Sequence, residues 1–115
     1  MLFVCYPKCS TCQKAKKYLV EHNIKFEERN IAVDNPTSEE LTQWIQQSGL
    51  PLKKFYNTSG KLYKEMNLKD KIKEMSDEEQ IQLLATNGML VKRPLLINND
   101  QVFVGFKEQE YETLV

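Results

Sequence analysis

The sequence predicts an α/β fold: a mixed four-stranded sheet with helices on its faces, and a helical insert over about residues 36–90 between a β-α-β unit and a β-β-α unit. Three observations carry this. Short runs rich in β-formers stand at the two ends of the chain, as Leu2-Phe3-Val4-Cys5, Leu95-Leu96-Ile97 and Val102-Phe103-Val104. A segment with helical periodicity follows the first run, and two capping-box signatures, Thr37 with Glu40 and Ser76 with Glu79, fall in the middle.

Leu2 to Cys5 is too short for a helix to propagate and is stopped by Tyr6-Pro7, so it reads as a strand buried on both faces. Ala15, Tyr18, Leu19 and His22 follow helical spacing while Lys14, Lys16, Lys17 and Glu21 take the other face, which predicts an amphipathic helix from about Ser10 to Glu21 fraying at Asn23. Phe26 to Ile31 carries charge at interior positions but is placed to pair in parallel beside the first strand. After Pro36 the first capping box starts a helix with Leu41, Trp44 and Ile45 on its buried stripe, and Gly49 ends it. Leu50 to Asn57 reads as a short second piece, broken by Asn57-Thr58-Ser59-Gly60. The second capping box starts a helix through Ile81, Leu83, Leu84 and Ala85, with Asn87-Gly88 as its stop. The two carboxyl-end strands flank Asn98-Asn99-Asp100-Gln101 as a hairpin with a four-residue loop, and Phe106 to Leu114 can form a closing helix. This order of elements matches thioredoxin-like architecture, with residues 1–115 as one domain.

Sixteen basic residues balance sixteen acidic ones among 115, so no general attraction to nucleic acid or to an anionic membrane is expected. The apolar opening Met1 to Cys5 falls far short of the ~18 residues of a membrane span, and no basic leader precedes it, which predicts a cytoplasmic protein. Three cysteines crowded between positions 5 and 12 do not make a secreted disulfide scaffold.

Cys9-Ser10-Thr11-Cys12 falls where the first strand's loop becomes the first helix. The free amides and positive dipole end of a helix start favour an anion there, and Lys8 adds positive charge beside it. Residues three apart on a helix lie about 5–6 Å from each other, within reach of a disulfide. Cys9 at the outer end is then the nucleophile and Cys12 the resolving thiol, with Ser10 and Thr11 supplying first-turn amides. The competing reading makes both cysteines small core residues. Structural zinc needs four ligands, and only Cys5 and His22 remain as spares, so neither metal nor cofactor is implied. Cys5, inside the apolar strand, reads as packing, and His22 as a solvated residue near a helix end. Arg29 and Arg93 are the only arginines. A guanidinium forks onto oxyanions as lysine cannot, so Arg93 is a candidate for stabilising an anion or thiolate, against a surface salt bridge as the simpler role. Pro94 after it is a candidate cis proline.

Tyr6-Pro7-Lys8-Cys9-Ser10-Thr11-Cys12-Gln13-Lys14-Ala15, Asn57-Thr58-Ser59-Gly60 with Tyr63, Leu83-Leu84-Ala85, Gly88 to Leu95, and Val104-Gly105-Phe106 together resemble the arsenate reductase (ArsC)/Spx family of thioredoxin-fold proteins, over essentially the whole chain. In the glutaredoxin-coupled reductases of that family one cysteine attacks arsenate and three arginines hold the oxyanion. The resemblance maps these onto Cys9 and Arg93, but the other two positions carry Asn57 and, after Gly105-Phe106, Lys107. Each lost bidentate donor removes charge-assisted bonds of about 1.5–3 kcal/mol. Those reductases also lack a cysteine at the position of Cys12. The Spx branch has both cysteines, as a redox switch in a regulator that binds the RNA polymerase α subunit rather than DNA. The resemblance therefore implies a cytosolic thiol-disulfide redox protein using Cys9 and Cys12, served by thioredoxin, glutaredoxin or a low-molecular-weight thiol. Arsenate reduction and an Spx-like regulator are the alternatives. Neither membrane nor nucleic acid is an implied partner. Trp44, Phe55, Tyr56 and Tyr63 in the insert are candidates for a docking face, though aromatic residues at helical spacing are more often core.

Overall fold

The computed structural model describes residues 1–114. Strand β1 (Leu2–Cys5) leads through a tight loop into α1 (Ser10–Glu21), followed by β2 (Glu27–Asn30). The insert holds α2 (Ser38–Ser48), a 3-10 turn at Leu52–Phe55, two short helices α3 (Lys61–Glu65) and α4 (Leu68–Lys71), and α5 (Asp77–Leu84). The chain returns through β3 (Leu95–Asn98) and β4 (Gln101–Val104) to α6 (Glu108–Tyr111), which tightens into a 3-10 turn at Glu112–Leu114. The sheet order is β2-β1-β3-β4, with β1 parallel to β2 and antiparallel to β3, and β3 antiparallel to β4. This is the expected mixed four-stranded α/β sheet.

Strand pleating sorts the core into two layers. Val4 and Leu95 face the insert and pack with Leu41, Trp44, Phe55, Tyr56 and Leu84. Phe3, Cys5 and Leu96 face the other way, toward Cys12, Ala15 and Leu19 of α1 and Tyr111 of α6. β1 and β3 are the inner strands and are buried on both faces, whereas β2 is an edge, which is why its Glu27 and Glu28 are tolerated.

Both capping boxes form: Thr37 Oγ1 accepts from the Glu40 amide and Ser76 Oγ from the Glu79 amide, each carboxylate accepting in return from its cap amide. Gly49 ends α2 in the left-handed region, at φ 68°. Three expectations are adjusted. The hairpin loop is Asn99-Asp100 alone, because Asn98 pairs with Gln101 and Asn99 supplies the positive φ a two-residue turn needs. The closing helix starts at Glu108 rather than Phe106, whose ring instead packs edge-on against Tyr111 at 4.8 Å. Gly88 does not stop α5, which ends at Leu84; it lies against β2's end, where an added Cβ would collide with the Ile31 carbonyl.

Arg29, one of the two arginines, is structural. It holds the Glu40 carboxylate through both Nη atoms at 2.7 and 2.9 Å and donates to the carbonyls of Asp34 and Asn35. Its guanidinium lies 5.9 Å from the Trp44 ring centroid. β2 is thereby tied to the start of α2.

Candidate active site

The loop between β1 and α1 is closed by its own backbone. The Cys9 amide donates to the Tyr6 carbonyl at 2.9 Å, and Gln13 Nε2 reaches back to the Pro7 carbonyl at 3.0 Å. Cys9 is the N-cap of α1, in extended conformation, and its carbonyl accepts the first helical bond, from Gln13. Its side chain makes no cap hydrogen bond, so the half-buried thiol remains available. Ser10, Thr11 and Cys12 present the first-turn amides, and that turn holds no acidic residue to neutralise them. Lys8 and Ser10 are exposed and Thr11 is half-buried at the mouth of this loop.

Cys12 lies one turn further in, 2% exposed. Its sulfur accepts from the Tyr6 amide at 3.3 Å and also contacts the Cys9 side chain. A hydrogen bond with Cys5, and then burial, push the Cys12 thiol far up, so that it keeps its proton. The pair of cysteines is thus asymmetric, a half-exposed thiol at a helix N-terminus and a buried, protonated one beneath it.

Arg93 lies at the start of the inner strand β3, and the Arg93–Pro94 peptide bond is cis, at the candidate cis proline. Its guanidinium stands over the Tyr6 ring at 5.1 Å from the centroid, which brings it against the residue that opens the cysteine loop. Its Nε and Nη1 are buried without a hydrogen-bond partner among the described residues. Arg93 also lines a cavity of about 410 Å³ with Asn57, Lys61, Glu65 and Asn87. Of the groups lining it, Asn57 is neutral and Glu65 acidic, which leaves Arg93 and Lys61 as the cavity's positive groups. Lys107, the other substituted position, is exposed and caps α6.

Cys5 packs in the core as its strand position implies, yet it also touches Cys12 and lies 3.8 Å from Glu28 Oε2. Sequence reasoning treated it as inert; the alternation that puts Cys5 on the α1 side of β1 was the signal that it would meet Cys12. His22 is exposed, stacks on Tyr18 at 4.0 Å and lies 2.9 Å from the Tyr18 carbonyl, a helix-end role as expected. Trp44, Phe55 and Tyr56 are buried, so only Tyr63 of the four insert aromatics is part-exposed. No helix among the described residues is long and apolar enough to cross a membrane.

Known proteins are similar to this chain over nearly its full length. The model of the ArsC family matches residues 5–114. The protein YusI of Bacillus subtilis (strain 168) is 53% identical over 112 residues, covering 97% of this chain and 95% of its own. The global transcriptional regulator Spx of Staphylococcus aureus (strain Mu50 / ATCC 700699) is 30% identical over 104 residues, covering 90% of this chain and 78% of its own. The crystal structure of an ArsC family related protein from Bacteroides fragilis is 60% identical, with a TM-score of 0.96 over 99% of this chain and 96% of that one. With the family model matching residues 5–114 and relatives of 53% and 60% identity spanning nearly the whole chain, the chain belongs to the ArsC family.

Proposed function

We propose that this protein is a thiol-disulfide redox protein, its single domain over residues 1–115 built to use Cys9 as nucleophile and Cys12 as resolving thiol. The observation that supports it is the asymmetry of the pair: Cys9 half-exposed at a helix N-terminus, Cys12 buried, protonated and in contact with it. The Cys9 thiolate attacks one sulfur of a substrate disulfide, forming a mixed disulfide and releasing the other half as a thiolate. Cys12 then attacks the Cys9 sulfur, its proton passing to the departing substrate thiolate, and the Cys9–Cys12 disulfide remains. Two electrons have moved from the pair to the substrate, and a dithiol or two monothiols return them. Thioredoxin, glutaredoxin and low-molecular-weight thiols are the reductants of the right chemistry. Lys8 and the amides of Ser10 and Thr11 supply positive potential at the nucleophile, and Arg93 holds an anionic substituent of the substrate beside Tyr6.

A second reading, an Spx-like switch that acts through the RNA polymerase α subunit, is favoured by the similarity to Spx over 90% of the chain. Arsenate reduction is disfavoured, since the Arg93 cavity offers Asn57 and Glu65 where a dianionic oxyanion needs more guanidinium. The discriminating measurement is the reduction potential of the Cys9/Cys12 pair, set beside turnover of a small disulfide, and of arsenate, with thioredoxin or with glutaredoxin and glutathione. A pair held reduced by its donor and turning over disulfide supports the enzyme. A pair inert to every donor, together with redox-dependent retention of RNA polymerase α, supports the switch instead.

A further inference from the structure

Cys5, Cys9 and Cys12 belong to one side-chain cluster at the cysteine loop. Cys12 packs in that cluster with Cys5 and Cys9, and its thiol interacts with both side chains. Cys9 is half-buried, whereas Cys12 and Cys5 are 2% and 3% exposed within the same cluster. The pleat of β1 produces this: Phe3 and Cys5 point toward α1, and the fourth residue of the strand falls beneath the first turn of that helix. The inner pair is not an ordinary apolar contact. Cys5 Sγ lies 3.8 Å from Glu28 Oε2 on the neighbouring strand, and Glu28 is bridged at 2.7 Å to Lys16 and open to solvent. The Tyr111 hydroxyl, fully buried in the same cluster, has no hydrogen-bond partner among the described residues.

We propose that Cys5 is a third redox thiol, which takes Cys12 from Cys9 by thiol-disulfide exchange and stores the disulfide in the core. The inference rests on the Cys9/Cys12 reading above, because the exchange starts from that disulfide. Cys5 passes its proton to the Glu28 carboxylate, which relays it to water, and the Cys5 sulfur attacks the Cys12 sulfur. The Cys5–Cys12 bond forms, the Cys9–Cys12 bond breaks, and Cys9 leaves as a thiolate. No electrons enter or leave the chain in this step. The product is oxidised by two electrons yet again presents a free Cys9, and its disulfide is shielded from a reductant that does not first engage Cys9.

The test is disulfide mapping of the wild-type protein oxidised with one equivalent of diamide, sampled over time, quenched in acid, alkylated in denaturant and digested with trypsin. Cleavage after Lys8 and Lys14 separates a peptide carrying Cys5 from one carrying both Cys9 and Cys12. The early disulfide is expected within the second peptide. It is expected to decline as a cross-link between the two peptides grows, with Cys9 becoming alkylatable while Cys5 is lost to the reagent. Cys9→Ser is expected to lose the cross-link on that time scale, and formation of the cross-link at wild-type rate in Cys9→Ser overturns the relay. An intrapeptide disulfide that persists with Cys5 fully alkylated also overturns the relay and leaves the Cys9/Cys12 pair standing. Absence of the intrapeptide disulfide in both the wild type and a Cys5→Ala variant with native circular dichroism overturns the underlying pair as well.

Discussion

The amide of Tyr6 donates to the sulfur of Cys12 across 3.3 Å, while the Tyr6 ring carries the Arg93 guanidinium at 5.1 Å. One residue therefore joins Cys12 to the arginine before the cis proline.

On the proposed mechanism, replacing Cys12 with alanine removes the intramolecular thiol that resolves the mixed disulfide. Resolution by an external thiol forfeits the effective concentration of a neighbour held one helical turn away. Disulfide turnover is expected to fall about a hundredfold or more, with the Cys9 adduct of oxidised glutathione accumulating in the intact mass spectrum. Unchanged turnover with no adduct removes Cys12 from the reaction.

Arg93→Ala takes away the guanidinium whose Nε and Nη1 have no partner. Alkylation of Cys9 by the anionic reagent iodoacetate is expected to slow about three- to tenfold at neutral pH, and alkylation by neutral iodoacetamide to slow less. Equal rates in wild type and variant for both reagents place Arg93 outside the site. Arg93→Lys keeps the charge without the fork and is expected to recover only part of the difference.

The Arg29–Glu40 pair makes the fold acid-sensitive. The Arg29 hydrogen bonds hold the Glu40 carboxyl below the usual carboxylate range, with the Thr37 amide assisting. A carboxyl lowered in the folded state contributes stability above its unfolded pKa and loses it as pH falls through the folded one. Chemical denaturation from pH 7 down to pH 3 is expected to show a drop in stability that Glu40→Ala reduces. At pH 7 that variant is expected to be less stable by about 2 kcal/mol, having lost both the ion pair and half of a capping box.

Gly88→Ala tests the close approach of the insert to the end of β2. The new Cβ is directed at the Ile31 carbonyl, backbone that moves only with the strand end. A loss of about 3 kcal/mol in denaturant melts is expected, and a loss under 1 kcal/mol means that the segment yields. Gly49→Ala is a useful contrast: nothing lies within 4 Å, and the cost there comes from φ 68° alone.

Local rules sufficed where the interactions are local. The helix from Ser10 to Glu21, both capping boxes and the Gly49 stop depend on hydrogen bonds between residues a few positions apart, and all stand where periodicity and capping chemistry put them. The C-x-x-C at the strand-to-helix junction was legible for the same reason. Less was legible at Asn98 and Gln101, which alternation assigned to the loop and cross-strand pairing assigned to the ladder.

The sequence by itself determined the order of elements, the apolar strands and the placing of Cys9 at a helix start, because each follows from backbone hydrogen bonding and side-chain period within a short window. Only the tertiary structure decided which side chains from distant segments meet. It set Cys5 beside Cys12, locked Arg29 onto Glu40 and pressed Arg93 onto Tyr6 with its Nε and Nη1 donors unmatched. Such contacts arise when close packing closes loops of many residues at once, and no single window of sequence contains both partners.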